Sequence, residues 1–375
     1  RLKAINLEDL IRDAGAPPVT LIAPAYNEEP TCVESTRALL TLNYPEFEII
    51  VVNDGSKDNT LRSMIDAFDM NPVHRARVSF LESATVRGIY RSAYQPNLWL
   101  IDKENGGKAD ALNTGLNYCR TPLFCAMDAD SILESDSLLR IVRPFLEDAH
   151  TIAAGGIIRI INDCTIKHGS VTQVRLPKKF LAKFQVLEYL RAYLSGRMGW
   201  STLKATLIIS GAFGIFKREM VVDVGGYNTD TVGEDMELIV KLHRHCKEND
   251  IKYSINFVPD PVAWTECPES IKILGRQRDR WQRGLYEVLT QHRKMLFNPK
   301  YGRIGMLAYP YFYFLEMLGP AIEFPGYILF IVAMIMGTIS VPYMLAFFSV
   351  AFVFGIALSI SSVALEELTF RRYPR

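Results

Sequence analysis

The 375-residue chain carries 42 Lys and Arg residues against 41 Asp and Glu residues, a formal net charge of +1. This balance argues against a general nucleic-acid binder, which usually has a strong basic excess, and we expect no nucleic-acid partner. Six scattered cysteines, with no CxxC pair, argue against a zinc site or a disulfide framework and indicate free thiols in a reducing compartment.

The first part of the chain alternates predicted strands and helices. Residues 1–18 are predicted to be a polar lead-in, Val19–Ala23 a strand ended by Pro24, residues 31–42 a helix and Phe47–Val52 a second strand. This alternation is typical of a parallel, doubly wound α/β sheet. Such a sheet binds its ligands at the carboxyl ends of its strands.

Acidic residues follow two of the predicted strands. Asp54 comes directly after the second strand, and Asp128 and Asp130 follow the apolar run Leu123–Met127. Alternating carboxylates of this kind can hold a hard divalent cation, Mg²⁺ or Mn²⁺, which neutralises a diphosphate. Asp54 can accept a hydrogen bond from a base or a ribose, although a plain turn residue explains it equally well.

Two further charged residues stand at predicted helix starts. Lys108 follows Gly106 and Gly107, where backbone amides and an ammonium favour phosphate; the alternative is a solvated lysine. Asp235, in Gly233-Glu-Asp235, is either a helix cap or a general base for an acceptor hydroxyl.

A basic stretch carries Gln277, Arg280 and Trp281 within about one helical turn. Arg280 can stabilise the charge of a departing diphosphate, and Trp281 can stack on a sugar ring. The alternative is an arginine-rich surface against lipid head groups.

The C-terminal end is strongly apolar. Gly319–Ile339 and Pro342–Leu365 each approach the length of about 20 residues that crosses a bilayer. Basic residues before and after the pair predict a hairpin with both outer ends in the cytoplasm. The helical pattern over Phe184–Leu207 is equally compatible with a helix on the membrane surface and with one packed on the domain. The chain starts at Arg1 without a signal peptide, which leaves upstream membrane helices as an open expectation.

Taken in order, these motifs resemble the processive membrane-bound family 2 glycosyltransferases, which include cellulose, chitin, hyaluronan and poly-N-acetylglucosamine synthases. The resemblance covers about Val19 to Gly284 and the C-terminal hairpin. It rests on the following motifs: Pro24-Ala-Tyr-Asn-Glu28, Asp54-Gly-Ser56, Gly107-Lys108, Asp128-Ala-Asp130, Ser210-Gly211, Gly233-Glu-Asp235 and Gln277-Arg-Asp-Arg-Trp281. Gly233 stands where many members have threonine, and the stretch after Gly211 matches only loosely.

The resemblance implies a nucleotide-sugar-transferase (Rossmann-like) α/β domain over residues 19–285, with UDP in the sheet crevice. It also implies interface helices near 184–207 and 270–297, and a membrane region over 305–365 with transmembrane helices at about 319–339 and 342–365.

The implied site residues fall into four groups: donor-binding, metal-binding, catalytic and acceptor-binding residues. Tyr26, Glu28, Asp54, Lys108 and Asp128 bind the UDP-sugar, and Asp130 holds the cation. Asp235 is the base, Arg280 stabilises the diphosphate, and the acceptor region is lined by Glu234, Gln277 and Trp281.

The implied activity is inverting, processive transfer from a UDP-sugar to a β-linked polysaccharide, with UDP-N-acetylglucosamine favoured over UDP-glucose. The implied location is a bacterial-type inner membrane with the catalytic domain in the cytoplasm, with lipid and secretion-complex subunits as further partners. Two alternatives stay open: transfer of one sugar to a lipid-phosphate carrier, and an inactive receptor or assembly subunit.

Overall fold

The computed structural model describes residues 15–167 and 169–373, so most of the predicted lead-in lies outside the described residues. A ten-stranded mixed sheet organises the chain, in the order β3-β4-β5-β2-β1-β6-β11-β8-β12-β7. The strands are β1 (Val19–Ala25), β2 (Phe47–Asp54), β3 (Met70–Pro72), β4 (Val86–Ser92), β5 (Leu98–Lys103), β6 (Leu123–Ala126), β7 (Ile132–Leu133), β8 (Thr151–Ile160), β11 (Gly214–Lys217) and β12 (Ser254–Thr265). β9 (Thr165–Lys167) and β10 (Ser170–Gln173) form a separate antiparallel pair.

The helices that flank the sheet are α1 (Cys32–Leu40), α2 (Thr60–Phe68), α3 (Lys108–Tyr118), α4 (Ser137–Glu147), α5 (Phe180–Leu190), α6 (Met198–Thr202), α7 (Arg218–Asp223), α8 (Glu234–Glu248) and α9 (Ile271–Gln291). The C-terminal part contains α10 (Tyr309–Tyr311), α11 (Gly319–Ile335) and α12 (Val341–Leu365).

The centre of the sheet is parallel, as predicted. β5, β2, β1 and β6 run in the same direction, and their apolar runs are buried because helices cover both faces. Successive residues of β2 point to opposite faces of the sheet, so Ile49 and Ile50 belong to two different hydrophobic core clusters. The carboxyl ends of these four strands therefore lie along one edge of the sheet.

Two details of the sheet differ from the sequence predictions. β1 continues past Pro24, because its pairing with β2 runs to Ala25. Its pairing with β6 ends at Ile22, so the pairing with β6 does not require an N–H from Pro24. The sheet is also mixed rather than wholly parallel, since β11 enters antiparallel between β6 and β8. Gly214 pairs with Ala126, which brings the segment before β11 to the same edge as the end of β6.

The predicted helix over Phe184–Leu207 is shifted and interrupted. The helix spans α5, a π-helical segment from Arg191 to Arg197, and α6, and it ends before Lys204, which has a left-handed φ of 54°. One side packs on the protein, because Tyr193 and Leu194 are buried and the Ser195 hydroxyl lies 2.8 Å from that of Ser362. A lipid contact of the other side stays a prediction.

The two predicted apolar C-terminal helices are both present, as α11 and α12. By length and hydropathy, one described helix (Val341–Phe370, including α12) can cross a membrane, with 30 residues and a mean hydropathy of 2.3 in its most apolar window. α11 passes the same test only together with the preceding helical segment Ile304–Met317, from which it is bent by 43°. The described part of the chain therefore contains one such helix, or up to two.

Candidate active site

Asp54 organises the loop that precedes Lys108. It lies at the buried end of β2, where one carboxylate oxygen contacts the Lys103 ammonium and accepts from the Gly106 N–H at 3.0 Å. The other oxygen accepts from the Asn105 side-chain amide at 3.1 Å and from the Gly107 N–H at 2.8 Å. Four donors fill the roughly four acceptor positions of a carboxylate. A contact of Asp54 with the nucleotide base stays a prediction, and the bonds present hold the loop.

Lys103 is a buried cation that the sequence reasoning missed. Its ammonium bridges Asp54 and Asp110, the latter at 2.6 Å, and its side chain is shielded from solvent. Asp110 also accepts from the Ala84 N–H at 2.9 Å. A lysine at a strand end gives no sequence signal for such a bridge, because Asp54 and Asp110 reach it from two other elements. The arrangement fixes β2, β5 and α3 to each other.

Lys108 is the first residue of α3 and projects into an acidic cluster. Gly107 before it has a φ of +89°, a backbone conformation that residues other than glycine rarely adopt. The Lys108 ammonium lies 2.5 Å from an Asp128 oxygen and 3.3 Å from a Glu234 oxygen. Three separate motifs of the sequence thus meet at one ammonium.

Asp235 joins the same cluster through the segment before β11. Its carboxylate accepts from the Gly211 N–H at 3.1 Å. A Cβ at Gly211 would lie 2.8 Å from the Lys108 ammonium and 3.6 Å from Asp235. The glycine of Ser210-Gly211 therefore leaves the space in which the lysine and the candidate base come together.

The charges of the cluster shift two pKa values. Burial works against the charged Lys108, but Asp128, Glu234 and Asp235 outweigh it and raise the pKa of Lys108. Burial raises the pKa of Glu234, with a further rise from Asp235, while Lys108 opposes both. Lys108 is therefore a permanent positive charge at this edge of the sheet, able to bind an anionic group.

Asp130 lies beside the cluster with surplus negative charge around it. Burial disfavours the charged carboxylate and, together with the negative charges of Asp128 and Glu28, raises the pKa of Asp130 to about 6. Among the described residues, no group of three or more Asp, Glu, His or Cys side chains is gathered as a metal cage. Mg²⁺ in nucleotide sites usually takes one or two carboxylates, with phosphates and water completing the shell. The donor set of Asp128 and Asp130 fits a cation of that kind.

Tyr26 and Glu28 lie in the loop after β1. Asn27 connects this loop to the loop after Asp54, since its N–H donates to Ser56 at 3.0 Å and its side-chain oxygen accepts from the Lys57 N–H at 2.8 Å. The Tyr26 side chain is 44% exposed and available for contact with a ligand. Both residues therefore lie at the predicted edge.

Gln277, Arg280 and Trp281 lie on α9, on the same helical face as Gly284. Gly284 packs so closely against Gly233 that a Cβ there would lie 2.9 Å from the Gly233 Cα. Glu287, one turn on, accepts from the Thr231 hydroxyl and the Val232 N–H. α9 is thus fixed to the loop that carries Glu234 and Asp235.

The three α9 side chains make few contacts of their own. Arg280 is exposed and has no ion-pair partner among the described residues. The Gln277 side-chain oxygen is buried and, within the described chain, has no hydrogen-bond partner. Trp281 is 42% exposed, with the Arg278 guanidinium 4.4 Å from its ring centre. No described contact joins them to Asp128 or Asp235.

The fold and this cluster define an α/β protein with a lysine among several carboxylates at the carboxyl edge of its sheet. The model for glycosyl transferase family 2 matches residues 20–221, and that for glycosyl transferase family group 2 matches residues 123–360. The chain belongs to glycosyl transferase family 2, which confirms the family indicated by its motifs.

The chain is also similar to individual proteins. It is 30% identical to the poly-beta-1,6-N-acetyl-D-glucosamine synthases of Staphylococcus epidermidis over 273 residues and Staphylococcus aureus strain COL over 274 residues. In both cases the match covers 73% of this chain and 56% of the relative, so the chain spans little more than half of their length.

Among solved structures, the mannosyltransferase PcManGT from Pyrobaculum calidifontis, in complex with GDP-Man and Mn2+, has a TM-score of 0.56 at 21% identity. The match covers 95% of this chain and 88% of that one. At this identity the likeness shows the fold, and it confirms the predicted nucleotide-sugar-transferase type of α/β fold.

Proposed function

We propose that this chain is an inverting glycosyltransferase that moves a sugar from a UDP-sugar to the end of a growing β-linked polysaccharide. One observation carries the proposal: the Lys108 ammonium lies within 3.3 Å of both Asp128 and Glu234, next to Asp235. A fixed cation beside an acidic pair suits a diphosphate leaving group, and the neighbouring carboxylate suits removal of the acceptor proton. The name of the staphylococcal relatives supports N-acetylglucosamine as the sugar.

In the proposed reaction, Asp235 accepts the proton of the acceptor hydroxyl as that oxygen forms the new glycosidic bond. The bond between the sugar and the diphosphate breaks from the opposite side, which inverts the configuration. Lys108 and Arg280 stabilise the charge that develops on the UDP. The Gly211 N–H orients Asp235, since it donates to that carboxylate at 3.1 Å.

Asp130, with Asp128, is proposed to hold a divalent cation. The cation supplies charge neutralisation for the diphosphate when it is bound. The Mn2+ in the mannosyltransferase complex supports a cation here without deciding between Mg²⁺ and Mn²⁺. Tyr26 and Glu28 are proposed to lie by the uridine, with Asp54 near its uracil end.

The acceptor is proposed to lie along α9, against Trp281, Gln277 and Glu234. The buried, unpaired Gln277 oxygen supports this, because buried polar atoms without a partner are rare and a sugar hydroxyl would satisfy it. The proposal also includes processive extension of the polysaccharide. It further includes two transmembrane helices with the catalytic domain in the cytoplasm, and partners from a secretion complex. α12 is the element that best supports a membrane location.

A UDP-release assay on purified membranes, run across a panel of UDP-sugars, tests the proposal. We expect release with UDP-N-acetylglucosamine and a product that increases in size on gel filtration. A product of one sugar on a lipid carrier would favour the non-processive alternative. No release or transfer with any donor would favour the inactive subunit and overturn the proposal.

A further inference from the structure

The residues that follow α12 fold back onto the catalytic sheet. We define Glu366–Tyr373 as the C-terminal strap. Glu366 and Arg159, near the end of β8, form a buried two-bond ion pair with distances of 2.7 and 2.6 Å. Their side chains are 4% and 1% exposed. A guanidinium and a carboxylate paired in this way fix both distance and orientation.

A second set of contacts continues from the strap to β8 and β12. The Tyr373 hydroxyl accepts from the Ile160 N–H at 3.2 Å, and its ring packs edge-on to Trp264 with centroids 6.2 Å apart. Trp264 is almost wholly buried in β12 and pairs with Ile132 of β7. The strap therefore packs against β12, the strand that pairs with the short strand β7 after Asp130.

The last link is Glu134, four residues after Asp130. Its carboxylate lies 3.0 Å from the Arg372 guanidinium and accepts from the Trp264 indole N–H at 3.3 Å. Its backbone N–H donates to Val262 at 3.2 Å. Glu134 is thus held by the strap and by the sheet together, with only three residues between it and the candidate cation ligand, Asp130.

From this geometry we infer that the C-terminal strap is a positioning element for the donor site. It connects the end of the apolar helix α12 to the segment Asp128–Glu134. Through this connection it sets the affinity for the cation and the diphosphate of the donor. This inference rests on the proposed function for the identity of that donor. Arg372 and Glu134 are positioning residues, since they act through the segment Asp128–Glu134 and have no role in the chemistry. A shift of α12 in the bilayer would change the donor site through this connection.

The test compares two adjacent arginines. Arg372→Ala removes the contact with Glu134, whereas Arg371→Ala removes an exposed side chain whose described hydrogen bond goes to the Glu367 backbone within the strap. UDP binding is measured by calorimetry on the full chain in detergent, with Mn²⁺ and with chelator. We expect Arg372→Ala to weaken Mn²⁺-dependent binding by about two- to fivefold, the range for a partly exposed ion pair. Binding in chelator and binding by Arg371→Ala should stay at the wild-type value.

A charge exchange and a second readout separate positioning from folding. Arg372→Glu combined with Glu134→Arg should restore binding that Arg372→Glu alone loses. Hydrogen exchange of the peptide 128–136 should rise in Arg372→Ala and stay unchanged in Arg371→Ala. Unchanged exchange, or increased exchange with unchanged Mn²⁺-dependent binding, would overturn the inference. Wild-type protein that binds no UDP would instead refute the proposed donor site, and the connection would then stand or fall on the exchange data alone.

Discussion

The donor side and the acceptor side of the proposed site are built differently. On the donor side, Asp54 has four protein donors, and Lys103 and Lys108 each bridge two acidic residues. On the acceptor side, Arg280 and Trp281 are exposed and the Gln277 oxygen is buried without a described partner. The donor side is pre-organised by internal ion pairs, whereas the side chains of the proposed acceptor side have few contacts with the described protein.

The strongest test of this difference is Asp235→Asn, which changes the residue where the two sides meet. We expect transfer to fall by about 100- to 10,000-fold, because the amide cannot take the acceptor proton. UDP affinity should stay close to the wild-type value, since Lys108 and Asp128 remain. Transfer rate and UDP affinity are measured on the same preparation. Near-normal synthesis, or equal losses in both, would show that Asp235 is not the base.

The stability of the donor side should also depend on the buried ammonium group of Lys103. Lys103→Met leaves Asp54 and Asp110 buried without a counter-charge, and removing one partner of a buried pair costs about 3–5 kcal/mol. Lys272→Met, an exposed lysine on α9, should change stability by less than about 0.5 kcal/mol. Chemical unfolding in detergent measures both. Equal, small effects would mean that the Lys103 bridge does not hold the donor side together.

Asp130 gives the donor side a predicted pH dependence. Its pKa of about 6 in the folded protein is raised above the value of about 4 in an unfolded chain. Between these values the unfolded chain gives up the proton first, so the cation-free protein should lose stability as pH rises from about 4 to about 6. Cation binding needs the ionised carboxylate, so Mn²⁺ affinity should fall as pH drops through about 6.

Titration of Mn²⁺ binding between pH 5 and about 8 checks this, with Asp130→Asn as the control. The asparagine variant should bind Mn²⁺ weakly at every pH and lose the inflection. An inflection that persists in this variant would assign the pH dependence to another group.

The smallest expected effect lies on the acceptor side. Trp281→Ala should lower polymer yield by about two- to tenfold, the range for loss of one aromatic stacking contact, and lower UDP-sugar hydrolysis less. Tyr286→Ala removes an exposed aromatic from the opposite face of α9 and should leave both rates unchanged. Parallel losses of synthesis and hydrolysis in Trp281→Ala would mark the indole as a membrane anchor.

The sequence predicts the part of the site that lies close to strand ends. Asp54, Lys108 and Asp128 follow apolar strands or open a helix, and parallel strands bring such positions to one edge of the sheet. The positions of Asp235 and Ser210-Gly211 are harder to predict from the sequence, because they depend on β11 entering antiparallel beside β6. Lys103 and the strap pair Arg159–Glu366 could not be predicted, since their partners lie up to 207 residues apart and leave no local pattern.

The most direct test of the central claim is calorimetric binding of UDP to the wild type and to Lys108→Met, each with Mn²⁺ and with chelator. The account predicts cation-dependent UDP binding by the wild type and its loss by at least about tenfold in Lys108→Met, as the ammonium that meets Asp128 and Glu234 is removed. Wild-type affinity in Lys108→Met would contradict a diphosphate site at this edge of the sheet.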